Sequence, residues 1–303
     1  WLENRSVRLS FNGEWRLTPT LTLNMGDMVE KSDFVATTHS PRLALNYQLT
    51  ADHYLRVARS RAYRNPSFVE NFINFSYLVL GRGDLRPERI DLIEVAVGGK
   101  LLAQRLDYEL RLFEEKITDF IDLPDFENND YPDYDNEVEI FINQGEADLR
   151  GVELTLKWQP SKRSRADLSV AYVDSSGYAA EEFACSGGGI GCFTGDEPLQ
   201  IVEKISVEEH VPLRTVNLLL SQQLGQRFTL SANVSDVSAM NYHAGDDTGG
   251  YQTLDLTARY RLPGVTDRGT IQLTGRNLLQ EYYDFEEETV SKKGWYLQYE
   301  ARF

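Results

Sequence analysis

The densest group of potential metal ligands in the sequence is an acidic run at residues 125–137. Asp130, Asp133, Asp135 and Glu137 place carboxylates close together there. Carboxylate oxygens are the ligands that a hard cation such as Ca²⁺ prefers. The same composition is typical of a solvated external loop, which is the commoner case. The run therefore predicts either a Ca²⁺ site or a strongly negative surface loop, and both interpretations stay open.

The two cysteines, Cys185 and Cys192, are separated by a glycine-rich hexapeptide, Ser-Gly-Gly-Gly-Ile-Gly. Such a segment is flexible enough to let the two thiols meet in a disulfide, which would indicate an oxidising compartment. A pair of free thiols is the alternative. A bridge over so short a loop would stabilise only a local turn. With two cysteines and four scattered histidines, we expect no zinc site.

Catalytic patterns are missing from the sequence. His39, His53, His210 and His243 are dispersed, and no serine or cysteine motif of the nucleophile type accompanies them. The glycine pair at 249–250 precedes a strand-like segment rather than a helix, so it does not predict a phosphate-binding loop. We therefore expect that the protein is not an enzyme and carries no cofactor.

Aromatic and polar residues are mixed in the long connections of the chain, and that mixture is typical of ligand-contact loops. We expect ligand contacts from the segments 68–77, 131–134 and 282–285. The candidate residues are Phe68, Tyr77, Tyr131, Tyr134, Tyr282, Tyr283 and Phe285.

The charge of the chain excludes one class of partner and leaves the membrane open. Its 303 residues carry a formal net charge of −16, so a nucleic-acid partner is not expected, because phosphate binding needs a basic face. The acidic loops instead predict an outward negative field that favours cationic ligands. Mean hydropathy is −0.42, and no apolar run approaches the ~18 residues of a spanning helix. Transmembrane strands escape such a scan, because only alternate residues face lipid.

The final segment, residues 294–303, shows the alternation that organises the whole chain. Trp295, Leu297, Tyr299 and Ala301 are apolar or aromatic, whereas Gln298 and Glu300 between them are polar. Side chains of a strand point to opposite faces with a period of two. This segment therefore predicts a strand with one apolar and one polar face.

The same pattern recurs along the chain and predicts about thirteen antiparallel strands, many of ten residues or more, whereas soluble strands average ~5–6. Short turns follow residues 17, 49, 103, 158, 224 and 262, and long connections follow residues 29, 64, 122, 173, 238 and 280. Outer-membrane barrels have this asymmetry. A soluble β-sandwich with a buried aromatic core is the alternative. Aromatic residues at strand ends suit the two bilayer interfaces, and these are Trp15, Tyr47, Trp158, Tyr172, Phe228, Tyr260 and Trp295.

Several further segments occur in a fixed order along the chain. They are residues 40–47, 59–68, 83–88 with Glu94, 143–147, 151–154, 211–212 with 216–218, 275–279 and 282–283. Together they resemble the barrel domain of TonB-dependent outer-membrane receptors. The resemblance covers nearly the whole chain, and no single segment would establish it.

The resemblance implies an all-β, antiparallel transmembrane barrel of about 22 strands with a plugged lumen, of which this chain is the carboxy-terminal part. Residues 1–303 would form one barrel domain, with the plug, its TonB box and the early strands absent. The implied function is TonB-dependent uptake of a scarce nutrient, with a ferric siderophore as the commonest cargo. The implied partners are outer-membrane lipid, the TonB energy-transducing complex through the plug, and a small-molecule or metal-chelate ligand. A passive outer-membrane pore and a surface adhesin are the alternatives.

Overall fold

One antiparallel sheet contains most of the backbone in the computed structural model, which describes residues 3–75, 79–123, 125–127, 137–184, 200–208, 210–241, 247–263, 269–282 and 290–301. The elements of the amino-terminal half are β1 (Ser6–Thr18), β2 (Leu21–Ser32), β3 (Thr38–His39), β4 (Arg42–Gln48), β5 (His53–Arg64), the helix α1 (Phe68–Phe72), β6 (Asn74–Phe75), β7 (Val79–Leu80), β8 (Glu88–Leu101) and β9 (Leu106–Asp122).

The carboxy-terminal half continues in the same way. Its strands are β10 (Asp125–Glu127), β11 (Glu137–Ile140), β12 (Ile142–Ser161), β13 (Ser164–Ala184), β14 (Gln200–Ser206), β15 (Arg214–Leu224), β16 (Phe228–Val237), β17 (Met240–Asn241), β18 (Asp247–Thr248), β19 (Tyr251–Arg261), β20 (Gly269–Arg276) and β21 (Gly294–Ala301). Within the described ranges, the model has no helix with the length and apolarity that a bilayer crossing requires.

Thirteen of these strands form a continuous wall, in which each strand pairs antiparallel with the next one along the chain. The wall strands are β1, β2, β4, β5, β8, β9, β12, β13, β15, β16, β19, β20 and β21. The prediction of about thirteen antiparallel strands is therefore confirmed. Short turns join them at one end of the wall and long connections at the other.

Cross-strand register places like residues on the same face of the wall. Val57 pairs with Val95, Val97 with Leu110, and Leu110 with Leu154. Because the side-chain period of a strand is two, this register gathers the apolar residues on one face. The same alignment collects the polar residues on the other face.

The apolar face of the wall is open to the surroundings. Leu9 is 73% exposed, Trp295 65% and Leu297 76%, and no second sheet covers them in the described part of the chain. The other face is concave enough to bury Ala58 and Ala96. A soluble sandwich would bury its apolar side chains, so this arrangement contradicts the sandwich and fits a wall that faces hydrocarbon.

The aromatic residues expected at the bilayer interfaces lie near strand ends. Phe228 and Tyr260 are cross-strand partners at the short-turn end of β16 and β19. Tyr172 pairs with Arg214 towards the long-loop end, where Trp295 pairs with Gly275. The structure thus places aromatic side chains near both ends of the apolar band.

The two edge strands leave the wall incomplete. Among the described residues, β1 pairs only with β2, and β21 pairs only with β20. Unpaired backbone groups in lipid cost several kcal/mol each. A stable membrane barrel therefore requires further strands between these two edges.

Several strands extend beyond their predicted ends. The predicted loops at 125–139 and from 174 to about 210 are wrong in part, because β13 continues to Ala184 and the short strands β10, β11 and β14 form within them. On β9 the apolar positions Leu110 and Leu112 are continued by Glu114 and Lys116. Glu114 pairs with Arg150 at 3.2 Å, and Lys116 pairs with Glu146 at 2.9 Å. The face that bears Leu110 and Leu112 becomes polar there, so its apolar alternation ends while the backbone ladder continues.

Candidate functional site

A group of four charged side chains lies on the concave face of the wall, and we call Arg56, Glu94, Arg111 and Glu153 the luminal cluster. Glu94 accepts from Arg111 Nε at 2.6 Å and lies 3.0 Å from Arg56 Nη2. Arg111 Nη1 also donates to Glu153 at 3.0 Å. The side chain of Glu94 is only 8% exposed. Two cations and two anions therefore neutralise each other around one nearly buried carboxylate.

Cross-strand register explains why these side chains meet. Arg56 and Arg111 are the two neighbours of Ala96, which is completely buried. Because the alanine side chain is small, the two arginine side chains can extend across it and contact Glu94. Arg111 is in turn the cross-strand partner of Glu153 on β12. The cluster thus ties β5, β8, β9 and β12 together on the face that would line a lumen.

We call the long-loop end of the wall the mouth. A second ionic group lies there. Arg64 donates to Glu88 at 2.5 and 2.6 Å and to Glu70 at 2.9 Å. The Glu88 carboxylate also accepts a hydrogen bond from the backbone N–H of Ile121 on β9, at 2.9 Å. Arg64 therefore fixes the first turn of α1 to strands β8 and β9.

The helix α1 begins with a capping box. Ser67 Oγ accepts from the backbone N–H of Glu70 at 3.1 Å, and the Glu70 carboxylate accepts from the backbone N–H of Ser67. Burial of Glu70 opposes its ionisation, but the hydrogen bonds from Ser67 and Arg64 outweigh it and lower the pKa of this carboxyl below 4.5. Glu70 is therefore charged at neutral pH, so the cap is fully formed.

Phe68, one of the predicted ligand contacts, lies on α1 and is 49% exposed. Its ring lies 5.1 Å from that of Phe72, which meets Phe34 edge-on at 4.8 Å. These rings border a cavity of about 130 Å³. Asn71 lines the same cavity, and it is only 3% exposed, with no hydrogen-bond partner for its Oδ1 atom among the described residues.

Tyr282, a second predicted ligand contact, lies beyond β20 at the same end of the wall. Its ring stacks on Tyr251 with centroids 4.0 Å apart and planes 13° from parallel. Its backbone forms an isolated bridge with Ser291. Several wall strands separate Tyr282 from Phe68, so the structure places them in different sectors of the mouth.

The remaining predicted residues fall outside the described part of the chain. This applies to the aromatic candidates Tyr77, Tyr131, Tyr134, Tyr283 and Phe285, to the acidic candidates Asp130, Asp133 and Asp135, and to Cys185 and Cys192. The backbone of Glu137 pairs with Glu127 at the start of β11, but the side chain of Glu137 is not described. Elsewhere, the described residues hold no group of three or more His, Cys, Asp or Glu side chains that could bind a metal ion.

Sequence reasoning missed several residues of the mouth. Arg64, Glu70 and Glu88 were not singled out as a group, although Ser67-x-x-Glu70 is the signature of a capping box. Tyr251 carried no local signal, because its importance comes from contact with a residue far along the chain. Only the register of the sheet brings such partners together.

Comparison with known proteins adds to this geometry. A family model described as "TonB dependent receptor-like, beta-barrel" matches residues 2–278. No curated protein sequence matches the chain well enough to count as a relative.

Solved structures resemble the whole fold. The siderophore receptor PirA from Pseudomonas aeruginosa matches with a TM-score of 0.69 and 14% identity over 98% of this chain and 46% of its own. A mutant of the ferric enterobactin receptor PfeA from the same organism matches with a TM-score of 0.72 and 18% identity over 99% of this chain and 45% of its own. The ferric-catecholate import receptor Fiu from Escherichia coli K12 matches with a TM-score of 0.68 and 14% identity over 98% of this chain and 44% of its own.

This chain therefore spans less than half the length of each of these three structures. Such low identities establish a shared fold, whereas the family model covers most of the sequence directly. The chain belongs to the family of TonB-dependent receptor-like β-barrels, which lie in the outer membrane.

Proposed function

We propose that this chain is the carboxy-terminal part of the barrel of an outer-membrane receptor that imports a ferric siderophore with energy relayed by TonB. In the complete receptor, a plug and the remaining strands would precede residue 1, and the plug would carry the contact to TonB. Residues 1–303 would then belong to a single barrel domain. The three structural neighbours support this cargo, since each is a receptor named for a siderophore or a ferric catecholate.

The observation that carries the proposal is the division of the wall into two faces. The exposed side bears apolar residues such as Leu9 and Leu297 at alternate positions. The concave side bears the luminal cluster, whose charges would be costly in lipid and are suited to a water-filled or protein-filled lumen. A wall of this kind separates a polar interior from hydrocarbon, as a transport receptor requires.

We propose that ligand contacts come from the mouth, where Phe68 and Tyr282 lie. Aromatic faces offer a large contact area at a low entropic cost, which suits the capture of a bulky chelate. Tyr77, Tyr131, Tyr134, Tyr283 and Phe285 remain predictions for the same role. Tyr251 and Phe72 hold the two described aromatics from behind and would position them.

Iron uptake tests the proposed function directly. The complete gene is expressed in a strain that lacks its own siderophore receptors, and accumulation of ⁵⁵Fe from a panel of ferric siderophores is measured. We expect uptake of at least one siderophore, and its loss in an otherwise identical strain without TonB. Residues 1–303 alone should give no uptake, because the wall is open.

Two other results would contradict the proposal. Uptake that persists without TonB, together with steady ion conductance in planar bilayers, would show a passive pore. Failure of every ferric siderophore, with cell adhesion that depends on the protein, would show an adhesin.

We also keep the proposal that Asp130, Asp133, Asp135 and Glu137 bind Ca²⁺. Calorimetric titration of the purified receptor with Ca²⁺ tests it. Binding that disappears in the variant Asp133→Asn/Asp135→Asn but survives Asp246→Asn/Asp247→Asn would support a specific site. Equal losses in both variants would show only a general negative field.

A further inference from the structure

A broad apolar groove crosses the hydrocarbon-facing side of the wall between β12 and β21. Its volume is about 640 Å³, and Trp158 and Trp295 lie at its two ends. Three alanines and several leucines line it. These are Ala166, Ala232 and Ala258, with Leu220, Leu230 and Leu256 among the leucines.

The register of the strands creates this groove. Ala166 pairs with Leu220, Leu220 with Ala232, and Ala232 with Leu256. Small and large side chains therefore alternate along a row that runs across the strands. Since barrel strands tilt by roughly 35–45° from the bilayer normal, such a row also descends through the bilayer. An extended hydrocarbon chain would fit along it.

The end of the groove near Trp158 reaches the short-turn side of the wall, where basic residues follow the apolar ones. Pro160 lines the groove, and its carbonyl accepts from Arg105 Nη1 at 3.1 Å. The adjacent turn between β12 and β13 carries Lys162 and Arg163, and both residues are exposed. Three cationic side chains therefore surround this end of the groove.

The charge of this rim is opposite to that of the molecule. The turns at residues 101–106, 159–165 and 222–228 contain no Asp or Glu, in a chain whose net charge is −16. Most of the acidic residues outside the strands lie in the long loops at the other end, such as residues 125–137. The rim is therefore a local basic patch at the periplasmic bilayer surface next to the groove.

Polar groups fill the space between the basic turn and the apolar groove. Ser164 Oγ donates to Gln222 Oε1 at 2.7 Å and lies 3.0 Å from Ser161 Oγ. Ser164 and Gln222 both line the groove. Hydroxyl and amide groups at this depth suit the glycerol and ester region of a lipid, with the cations placed at its phosphate.

We propose that this groove and its basic rim form a binding site for one anionic phospholipid of the periplasmic leaflet. An acyl chain lies along Ala166, Ala232 and Ala258, and the phosphate of the headgroup lies against Lys162, Arg163 and Arg105. Neutral lipid contacts the same apolar surface but lacks the net negative charge that the rim attracts. The site is independent of the transported cargo.

Native mass spectrometry of the delipidated full-length receptor tests the proposal. The protein is titrated with phosphatidylglycerol and, separately, with phosphatidylcholine of the same acyl chains, and the dissociation constant of the first bound lipid is measured. We expect phosphatidylglycerol to bind at least tenfold more tightly. A basic residue near an anionic surface contributes about fivefold, so Lys162→Gln/Arg163→Gln should weaken phosphatidylglycerol about 30-fold and leave phosphatidylcholine unchanged.

Two further variants separate the two halves of the site. Arg16→Gln removes a cation from the same rim, beside the distant β1–β2 turn, and should leave both affinities unchanged. Ala232→Phe fills the groove and should weaken both lipids to a similar extent. Heat-modifiable electrophoretic mobility confirms that every variant is a folded barrel.

The proposal is overturned if the two lipids bind equally well to the unaltered receptor. It is also overturned if Arg16→Gln lowers phosphatidylglycerol binding as much as Lys162→Gln/Arg163→Gln does, because the charge effect would then be general. An unchanged affinity in Ala232→Phe would overturn the role of the groove.

Discussion

Replacing Glu94 by glutamine should destabilise the barrel far more than the same change at Glu153. Glu94 is 8% exposed, accepts a charge-assisted hydrogen bond from Arg111 and forms an ion pair with Arg56 at 3.0 Å. Glutamine keeps the shape and one acceptor oxygen but removes the negative charge. Arg56 then loses its only described carboxylate partner, whereas Arg111 keeps Glu153.

The magnitude follows from these contacts. A hydrogen bond to a charged group contributes about 1.5–3 kcal/mol, and breaking one member of a buried pair costs about 3–5 kcal/mol. The side chains of Arg56 and Arg111 are 27% and 20% exposed, and water therefore reduces the energy lost when their partner is neutralised. We expect Glu94→Gln to lower the free energy of unfolding by about 2–3 kcal/mol. Glu153 is 41% exposed and makes one such contact, so Glu153→Gln should cost about 0.5–1 kcal/mol.

Urea unfolding of the full-length receptor in detergent micelles, followed by tryptophan fluorescence, measures both changes. A double-mutant cycle of Glu94→Gln with Arg111→Gln should give a coupling energy of about 1–3 kcal/mol. Equal losses for Glu94→Gln and Glu153→Gln, or a coupling energy near zero, would refute the reasoning. Such a result would mean that the luminal cluster is fully screened by water.

Three further outcomes follow from the structure. Because the folded-state pKa of Glu70 is depressed, the stabilisation of α1 by this carboxylate is present above pH 4.5 and is lost as the pH falls through the folded-state pKa. Hydrogen exchange at residues 67–73 should therefore accelerate in that acidic range, and this acceleration should be absent in Glu70→Gln. Leu230→Arg should cost about 2–4 kcal/mol of unfolding free energy and Phe228→Arg, at the interface, about 0–1 kcal/mol, and equal costs in urea titrations would contradict the assigned depths. Phe68→Ala and Tyr282→Ala should each weaken the transported ligand about tenfold in equilibrium binding, and unaltered affinity in both would remove them from the ligand site.

The apolar band of the wall could be predicted from the sequence because lipid imposes a strict period of two. Leu230 and Ser231 show it on β16, where one residue faces hydrocarbon and the next faces the polar interior. The same constraint revealed strand number, the alternation of short and long connections, and the faces. A single residue out of phase would place a charge in lipid, so the pattern is hard to miss.

The strand extensions could not be predicted in the same way. β12 begins at Ile142 and passes through Glu146 and Arg150, which lie on the same face as Leu154 further along the strand. Backbone hydrogen bonds maintain the ladder there although the apolar pattern of this face is interrupted. Their continuation depends on the neighbouring strands, which local sequence does not describe.

The mouth was predicted only in part for a related reason. Phe68 and Tyr282 were named because aromatic residues stand out in loops. Arg64 and Glu88 lie 24 positions apart, and their contact follows from the register of β5 against β8. A shift of one residue in that register would move one partner to the opposite face.

The central claim is that alternate residues of the wall face hydrocarbon, and site-directed spin labelling of β16 tests it most directly. Nitroxides are placed one at a time at residues 229–234 of the full-length receptor in phospholipid vesicles, and collision rates with oxygen and with a water-soluble nickel chelate are measured. The structure predicts oxygen maxima at Leu230, Ala232 and Val234 and minima at the residues between them. Uniform collision rates along the strand, or maxima at Ser231 and Asn233, would contradict the account.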